Sequence, residues 1–516
     1  MNVLFIMTDQ QRVDFLSVYG NRVLQTPAMD RIGREGTLFQ NAFVQSAVCG
    51  PSRACFYTGR YVHTHRSAWN EVPLPITEKT AGHYFEEAGF RAAVVGKTHM
   101  YSEFPKPDFV KEECHSVDRR NLSRMDTVGF EYITGAVGTP CVPNYDYIEY
   151  LRKKGYPGNG QEIAFNTLRP AGKTRADNVA VNCRLPAAVK AEDSSAHYRT
   201  DRAIEFMKET TDRPWFLHLS YSHPHHPNCA PAPYNTMYSE NDFEPPLRCE
   251  EELSHSFFNE LRKERNINKG NTTDDNYCRH WRAVYAGLIK MIDDNLVRLF
   301  DFMDESGLME NTMIVFTSDH GELAGDHWFF EKDTCYRQCQ QVPLLIRHPE
   351  LLKENSISEF VESVDVLPTC LDAVELDISP GIQGKSLMPF LKGEQPSEWR
   401  KEMVAEYTYE YFGSASKMER QDCRAIMIRN KEFSFCHFNG PVDDLLFDLK
   451  KDPDELHNVA AKAEYAHAVT ELKNKLLDWQ LRNWDPLPLR LSGVWLGQRS
   501  AGPDVSELPY NAGRFM

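Results

Sequence analysis

Three short runs in this chain carry residue types that can hold a cation or act as a nucleophile. The first, Thr8-Asp9-Gln10-Gln11, follows the apolar run Val3-Leu4-Phe5-Ile6-Met7. A carboxylate just past the C-terminal edge of a buried strand sits where open α/β sheets bind ligands, although alone Asp9 reads as a loop or cap residue. The second, Thr317-Ser318-Asp319-His320-Gly321-Glu322, follows an apolar strand candidate at Met313–Ser318. Two strands ending this way can gather Asp9, Gln10, Asp319 and His320 around one ion. Oxygen-dominated ligands suit calcium or magnesium, and the imidazole leaves manganese open. The third run is Cys49-Gly50-Pro51-Ser52-Arg53-Ala54-Cys55-Phe56-Tyr57-Thr58-Gly59-Arg60. Pro51 and Ser52 favour a helix start, which sets Cys49 beside the positive end of the dipole. Arg53 then lies one turn along on the same face. Cys55 reads as a buried, inert thiol. Lys97 taken alone reads as a surface lysine, and His63, His65, His226 and His327 have structural readings. The pair Asp293-Asp294 reads as a solvated helix face.

Taken together, these runs resemble the type I sulfatases of the alkaline-phosphatase superfamily. That family's signature, Cys-x-Pro-Ser-Arg followed five residues later by Thr-Gly, is met by Cys49, Pro51, Ser52, Arg53, Thr58 and Gly59. Gly96-Lys97-Thr98-His99 is similar to its Gly-Lys-x-His, and Pro224-His225-His226-Pro227 to its Pro-His-x-Pro. Lys332 resembles its late sulfate-contacting lysine, and Val342-Pro343-Leu344-Leu345 and Asp452-Pro453-x-Glu455-x-x-Asn458 also fit. The resemblance implies an alkaline-phosphatase-like α/β sandwich with a large, mostly parallel sheet between helices. It implies conversion of Cys49 to formylglycine (3-oxoalanine) by a maturation enzyme. It also implies one divalent cation, calcium foremost and magnesium or manganese as alternatives, held by Asp9, Gln10, Cys49, Asp319 and His320. The hydrated aldehyde would offer one hydroxyl to attack sulfur and a second whose deprotonation expels sulfate. By the same resemblance His225 and Lys332 serve the leaving oxygen, His99 assists collapse of the hemiacetal, and Arg53, Lys97 and Lys332 hold sulfate.

Some positions depart from that pattern. Many family members have a second aspartate where this chain has Gln10, and an asparagine where it has His320. These residues, with Asn70 in His65-Arg66-Ser67-Ala68-Trp69-Asn70, resemble the phosphonate monoester hydrolase and choline-sulfatase branch, in which such an asparagine faces the substrate. Lys97 and His99 are the sulfatase choice. The expected function is therefore hydrolysis of aryl, alkyl or carbohydrate sulfates, with phosphonate monoester or phosphodiester hydrolysis as the alternative. A non-catalytic binding protein on the same fold would have lost Cys49, Arg53 or a metal acid; all are retained.

The elements that must position these groups follow from periodicity. Near-continuous apolar runs at Asn2–Thr8, Arg91–Gly96, Trp215–Ser220, Met313–Ser318 and Val342–Arg347 read as strands buried on both faces of a parallel sheet. Between them Thr26–Gly36, Ala81–Gly89, Ser195–Thr210 and Asn276–Gly307 read as helices, giving an α/β sandwich. From about residue 396 the pattern changes to a short antiparallel meander, Met403–Tyr409, Cys423–Arg429, Glu432–His437 and Leu445–Leu449, followed by a helix at Ala466–Asn483. We therefore expect a catalytic domain over 1–395 and a smaller C-terminal α+β unit over 396–516. The irregular stretch 100–190 reads as an insertion at one end of the sheet, and with 228–275 it is expected to choose the leaving group. The Pro- and Gly-rich tail from Trp484 carries Trp495, Leu496 and Tyr510, and could dock on its own subunit or form an arm in a homo-oligomer.

Composition narrows the classes. The 516 residues are 41% hydrophobic and 26% charged, ordinary for a globular chain. A net charge of −16 argues against nucleic acid as partner, and it requires any sulfate site to be locally cationic. No apolar run approaches a membrane span, and no secretory leader is seen. Thirteen scattered cysteines in a chain of this size point to a reducing cytoplasm, which, joined to the resemblance above, favours a small or already depolymerised sulfated substrate.

Overall fold

Residues Val3 to Met7 alternate between two apolar layers, and the rest of the molecule is built around that alternation. The computed structural model describes residues 1–100 apart from 71, 73 and 76, then 131–136, 145–158, 163 and 166–171. It further describes 185–409 apart from 210–212, 267–270 and 352, and finally 422–484. Eight strands form the main sheet: β1 (Asn2–Asp9), β2 (Thr37–Phe43), β3 (Arg91–Lys97), β4 (Glu131–Ala136), β5 (Trp215–Pro224), β6 (Thr312–Ser318), β7 (Leu344–Arg347) and β8 (Asn355–Glu362). Their order is β4-β3-β5-β1-β6-β7-β2-β8. Every pairing is parallel except those of β7, which runs antiparallel to both β6 and β2.

Leu4 and Ile6 face one layer, formed by helices Pro27–Arg34, Ser195–Lys208 and Asp275–Glu305. Val3, Phe5 and Met7 face the other, formed by Cys49–Thr58, Ala81–Glu87 and Val366–Ala373. Two-sided burial is the reason these strands read as unbroken apolar runs. The expected strands and helices appear within a few residues of their expected bounds.

Three strands were not expected. β2 carries Gln40 and Asn41, and β8 is mostly polar until Phe360, where burial begins, as suits an edge strand half open to water. β4, at the opposite edge, pairs with β3 from inside the stretch read as an irregular insertion, and helix Tyr145–Lys153 follows it. The expectation of a solvated Asp293 is corrected. Its side chain is buried, and Oδ1 accepts from the Ala28 and Met29 amides at 3.0 and 3.1 Å, so one helix caps the start of another. Burial pushes the Asp293 carboxyl up to about 6.

The second sheet is antiparallel, β9 (Met403–Thr408), β10 (Arg424–Arg429), β11 (Phe433–Phe438) and β12 (Leu445–Asp448), and helix Ala466–Arg482 lies on its outer side. Trp495, Leu496 and Tyr510, on which the expected arm rests, lie outside the described residues. Among the described residues no helix is long and apolar enough to cross a membrane.

Candidate active site

The site forms where β1, β6 and β3 end and the helix Cys49–Thr58 begins. Asp9 is the last residue of β1, and Asp319 follows β6, its neighbour in the sheet. Cys49 is the first helical residue after Val48, which provides no side-chain cap, and the Gly50 amide behind the thiol is satisfied by Asn70 instead. Lys97 ends β3, directly after Gly96, where φ is +115° and an added Cβ would lie 1.8 Å from the Ser220 carbonyl oxygen. Only glycine lets β3 and β5 approach this closely. Gly321 meets the same constraint against the Gln338 carbonyl oxygen, at 1.9 Å, and this fixes the turn after His320.

One donor atom from each of Asp9, Cys49, Asp319 and His320 falls in a group no more than 4.8 Å across, and all four residues are buried. Cys49 Sγ lies 3.2 Å from His320 Nε2 and 3.9 Å from Asp9 Oδ1, and it accepts from Lys332 Nζ at 3.0 Å. His320 uses Nδ1 on the Gly321 carbonyl at 2.9 Å, which leaves Nε2 facing the group, as for a metal-binding imidazole. Gln10 joins through its side-chain oxygen, which accepts from Lys332 Nζ at 2.9 Å, while its backbone N–H donates to Asp319 Oδ1 at 3.0 Å. Two carboxylates, an amide oxygen and an imidazole nitrogen make a donor set that fits a hard divalent cation.

Positive charge surrounds the acids. Arg53 donates from Nε to Asp319 Oδ2 at 2.8 Å, from Nη1 to Lys97 O and Ser220 Oγ at 2.8 Å each, and from Nη2 to Asp9 Oδ2 at 3.3 Å. Lys97 Nζ also bonds Asp9 Oδ2. Burial pushes the Asp9 carboxyl up, but Lys97, Arg53, Lys332 and His320 outweigh it and hold Asp9 well below its ordinary range. Burial and Asp9 raise the Cys49 thiol, while Lys332, Lys97 and His320 pull it well below the usual thiol value. Burial opposes the charge on Lys332, yet Cys49 and Asp9 raise its affinity for the proton. The local cationic field required by the overall negative charge is therefore present.

His99 feels the charges of Lys97, Cys49 and Arg53, and His225 those of His226, Lys332, Lys97 and Cys49; burial holds both imidazoles below their ordinary values. His225 Nδ1 bonds the His226 carbonyl at 2.8 Å, so Nε2 is the nitrogen left for a substrate. Asn70 Oδ1 accepts from the Gly50 amide at 2.8 Å, which places this half-buried residue against the first turn carrying Cys49. Every expected site residue thus falls in or against one cluster.

Sequence reasoning missed several supports. Ser220 holds Arg53, Ser52 Oγ bonds the Asp319 carbonyl, and the buried Glu322 holds Gln10. Glu322 directly follows Asp319-His320-Gly321, which was the one available signal. His226 Nδ1 lies 2.7 Å from Glu331 Oε1, which ties the His225 loop to the Lys332 loop. Cys55 is buried, with its thiol pushed well up by burial, in keeping with an inert group.

The sulfatase family profile matches residues 1–376, and a profile described as the C-terminal region of N-sulphoglucosamine sulphohydrolase matches residues 325–482. The multifunctional alkaline phosphatase superfamily protein PehA of Trinickia caryophylli is 32% identical, over 94% of this chain and 96% of its own. An N-acetylglucosamine-6-O-sulfatase of Bacteroides thetaiotaomicron is 28% identical over 94% of this chain and 87% of its own. Among solved structures, the phosphonate monoester hydrolase of Silicibacter pomeroyi superposes with a TM-score of 0.82 at 28% identity, covering 94% of this chain and 96% of that one. Its match to the sulfatase profile over residues 1–376 and its relatives along nearly the whole chain make this chain a member of the sulfatase family.

Proposed function

We propose that this protein hydrolyses sulfate esters with a formylglycine made from Cys49 and a divalent cation, calcium foremost, held by Asp9, Gln10, Asp319 and His320. The observation that carries the reading is the placement of Cys49 Sγ at a helix start within 3.2 Å of His320 Nε2 and 3.0 Å of Lys332 Nζ, beside two buried carboxylates. Magnesium or manganese would fit the same donors less directly. When bound, the cation supplies Lewis acidity toward the nucleophile and the sulfate oxygens. The matured residue 49 supplies a hydrated aldehyde, whose second hydroxyl gives sulfate a route out that a serine lacks.

The chain's own groups do the rest. Arg53 and Lys97 fix the Asp9 and Asp319 carboxylates, so those oxygens need not reorganise as charge moves. Lys332 keeps its proton beside residue 49 and can donate a hydrogen bond to a sulfate oxygen or to the bridging oxygen. His225 presents Nε2 to the leaving oxygen, and protonation by such a group contributes roughly 10²–10⁴-fold. His99, near enough to residue 49 to feel its charge, is placed to take the proton from the second hydroxyl. The reading also carries a cytoplasmic location, a small sulfated substrate and a maturation enzyme as partner.

Hydrolysis of phosphonate monoesters or phosphodiesters is the second reading. It is favoured by Asn70 lying against the nucleophile's first turn and by the superposition on phosphonate monoester hydrolases at a TM-score of 0.82. Production together with a formylglycine-generating enzyme should replace the Cys49 sulfur by oxygen with loss of two hydrogens, seen by peptide mass. The matured protein is then assayed on an aryl sulfate, sugar sulfates and a phosphonate monoester. A phosphonate rate well above every sulfate would overturn the first reading. Activity that survives Cys49→Ala would overturn both.

A further inference from the structure

The Gln10 carboxamide lies between two groups of opposite hydrogen-bonding character. Lys332 Nζ can only donate, and it meets Gln10 Oε1 at 2.9 Å. An ionised Glu322 can only accept, and its Oε2 takes the Gln10 Nε2 proton. Both residues are buried, so water cannot rescue a flipped amide. The other Glu322 oxygen is committed as well, accepting from the Ala324 amide at 2.9 Å and from the Glu331 amide next to Lys332. The Glu322 backbone is pinned in turn, its N–H donating to the Gln338 carbonyl at 3.1 Å. From this arrangement we infer that Glu322 is a positioning residue: it locks the Gln10 carboxamide with its oxygen toward the cation and, through the Glu331 amide, sets the loop that carries Lys332. An amide offers either a donor or an acceptor to the site, and only the oxygen face can ligate a cation. The inference rests on the cation site proposed above.

The test is a pair of substitutions read by calcium binding to the metal-stripped, matured full chain in a calorimeter. Glu322→Gln keeps the acceptor for the two backbone amides but turns an N–H toward Gln10. The amide must then flip, and calcium affinity should fall by about 10–100-fold. In a Gln10→Glu background two carboxylates face each other, and the same Glu322→Gln change now supplies the missing donor. There it should strengthen calcium binding. This reversal of sign is the signature of orientation, and the second background gives an answer even if the single variant folds poorly. Should Glu322→Gln act in the same direction in both backgrounds, or leave affinity unchanged in both, the inference is overturned. Asp319→Asn separates the two failures. If it abolishes calcium binding while the Glu322 variants behave like wild type, only the role of Glu322 falls. If it leaves affinity untouched, the cation site itself is misplaced.

Discussion

Arg53 is fully buried and carries five N–H donors, so each needs an acceptor inside the protein. Its planar fork spans Asp319, Asp9, Ser220 and the Lys97 carbonyl at once, and a lysine could not reach all four. The residue therefore does two things: it holds the carboxylates apart in fixed positions, and it offsets the cost of burying them. Removing one partner of such a buried pair costs far more than the pair contributes net. Arg53→Met, which keeps most of the volume, should lose about 3–5 kcal/mol of unfolding free energy in the presence of a chelator. Calcium should recover more stability in this variant than in wild type, because the carboxylates, having lost the guanidinium, then depend more on the cation. Urea unfolding with and without calcium measures both effects. A variant as stable as wild type in chelator would mean that the acids are neutral in the fold.

At the scale of elements, the best predicted features were those whose signals are local. Thr26 and Pro27 mark a helix start, Gly89 at φ +85° marks a stop, and strands covered on both faces read as apolar runs. β8 escaped because its edge position relaxes the apolar demand, and β2, paired on both sides, because Gln40 and Asn41 interrupt its apolar run, so both patterns resemble loops. Site residues divide the same way. Asp9 and Asp319 were legible because each follows a recognisable strand, whereas Lys97, His99 and His225 became legible only through resemblance. Glu322 was not, since its partner lies 312 residues away. Asp293 was misread for a similar reason: helical periodicity says which face a residue is on, not that another helix's open amides cover that face. Its buried carboxyl has a pH consequence. An acid whose folded value is raised to about 6 binds more protons folded than unfolded between that value and its unfolded value of about 4. Its contribution to stability therefore falls as pH rises from about 4 to about 6 and is level above that window. Asp293→Asn keeps the acceptor for Ala28 and Met29 without the titration. Relative to this variant, wild type should lose stability across that window and no further above it. Parallel dependences in the two proteins, followed by urea midpoint against pH, would show that Asp293 stays ionised in the fold.

Across the whole molecule, the second sheet is joined to the first by a shared core. Met403, Ala405 and Tyr407 of β9 and Phe438 of β11 bury themselves with Phe43 of β2, Phe257 and Phe258, and with Phe329 and Tyr336 on either side of Lys332. Polar ties run alongside: the Glu406 amide donates to Gln45 O at 2.8 Å, Val404 N to Glu362 Oε1 at 3.1 Å, and Tyr407 Oη to Thr334 O at 2.8 Å. Glu455 completes them, accepting from Arg429 Nη1 at 2.6 Å and from the Arg337 amide at 2.8 Å. The loop holding Lys332 is thus supported from the C-terminal side, and a chain ending at residue 395 would expose that core and strand the Glu362 and Thr334 acceptors. Elements that share one core unfold together. The full chain should therefore show a single calorimetric transition, with loss of the far-ultraviolet helix signal coinciding with loss of hydrolytic activity. The 1–395 fragment should fail to give a cooperative transition at all. Two resolved transitions, or an active fragment, would establish that the C-terminal sheet is an independent unit and that the Lys332 loop holds its shape without it.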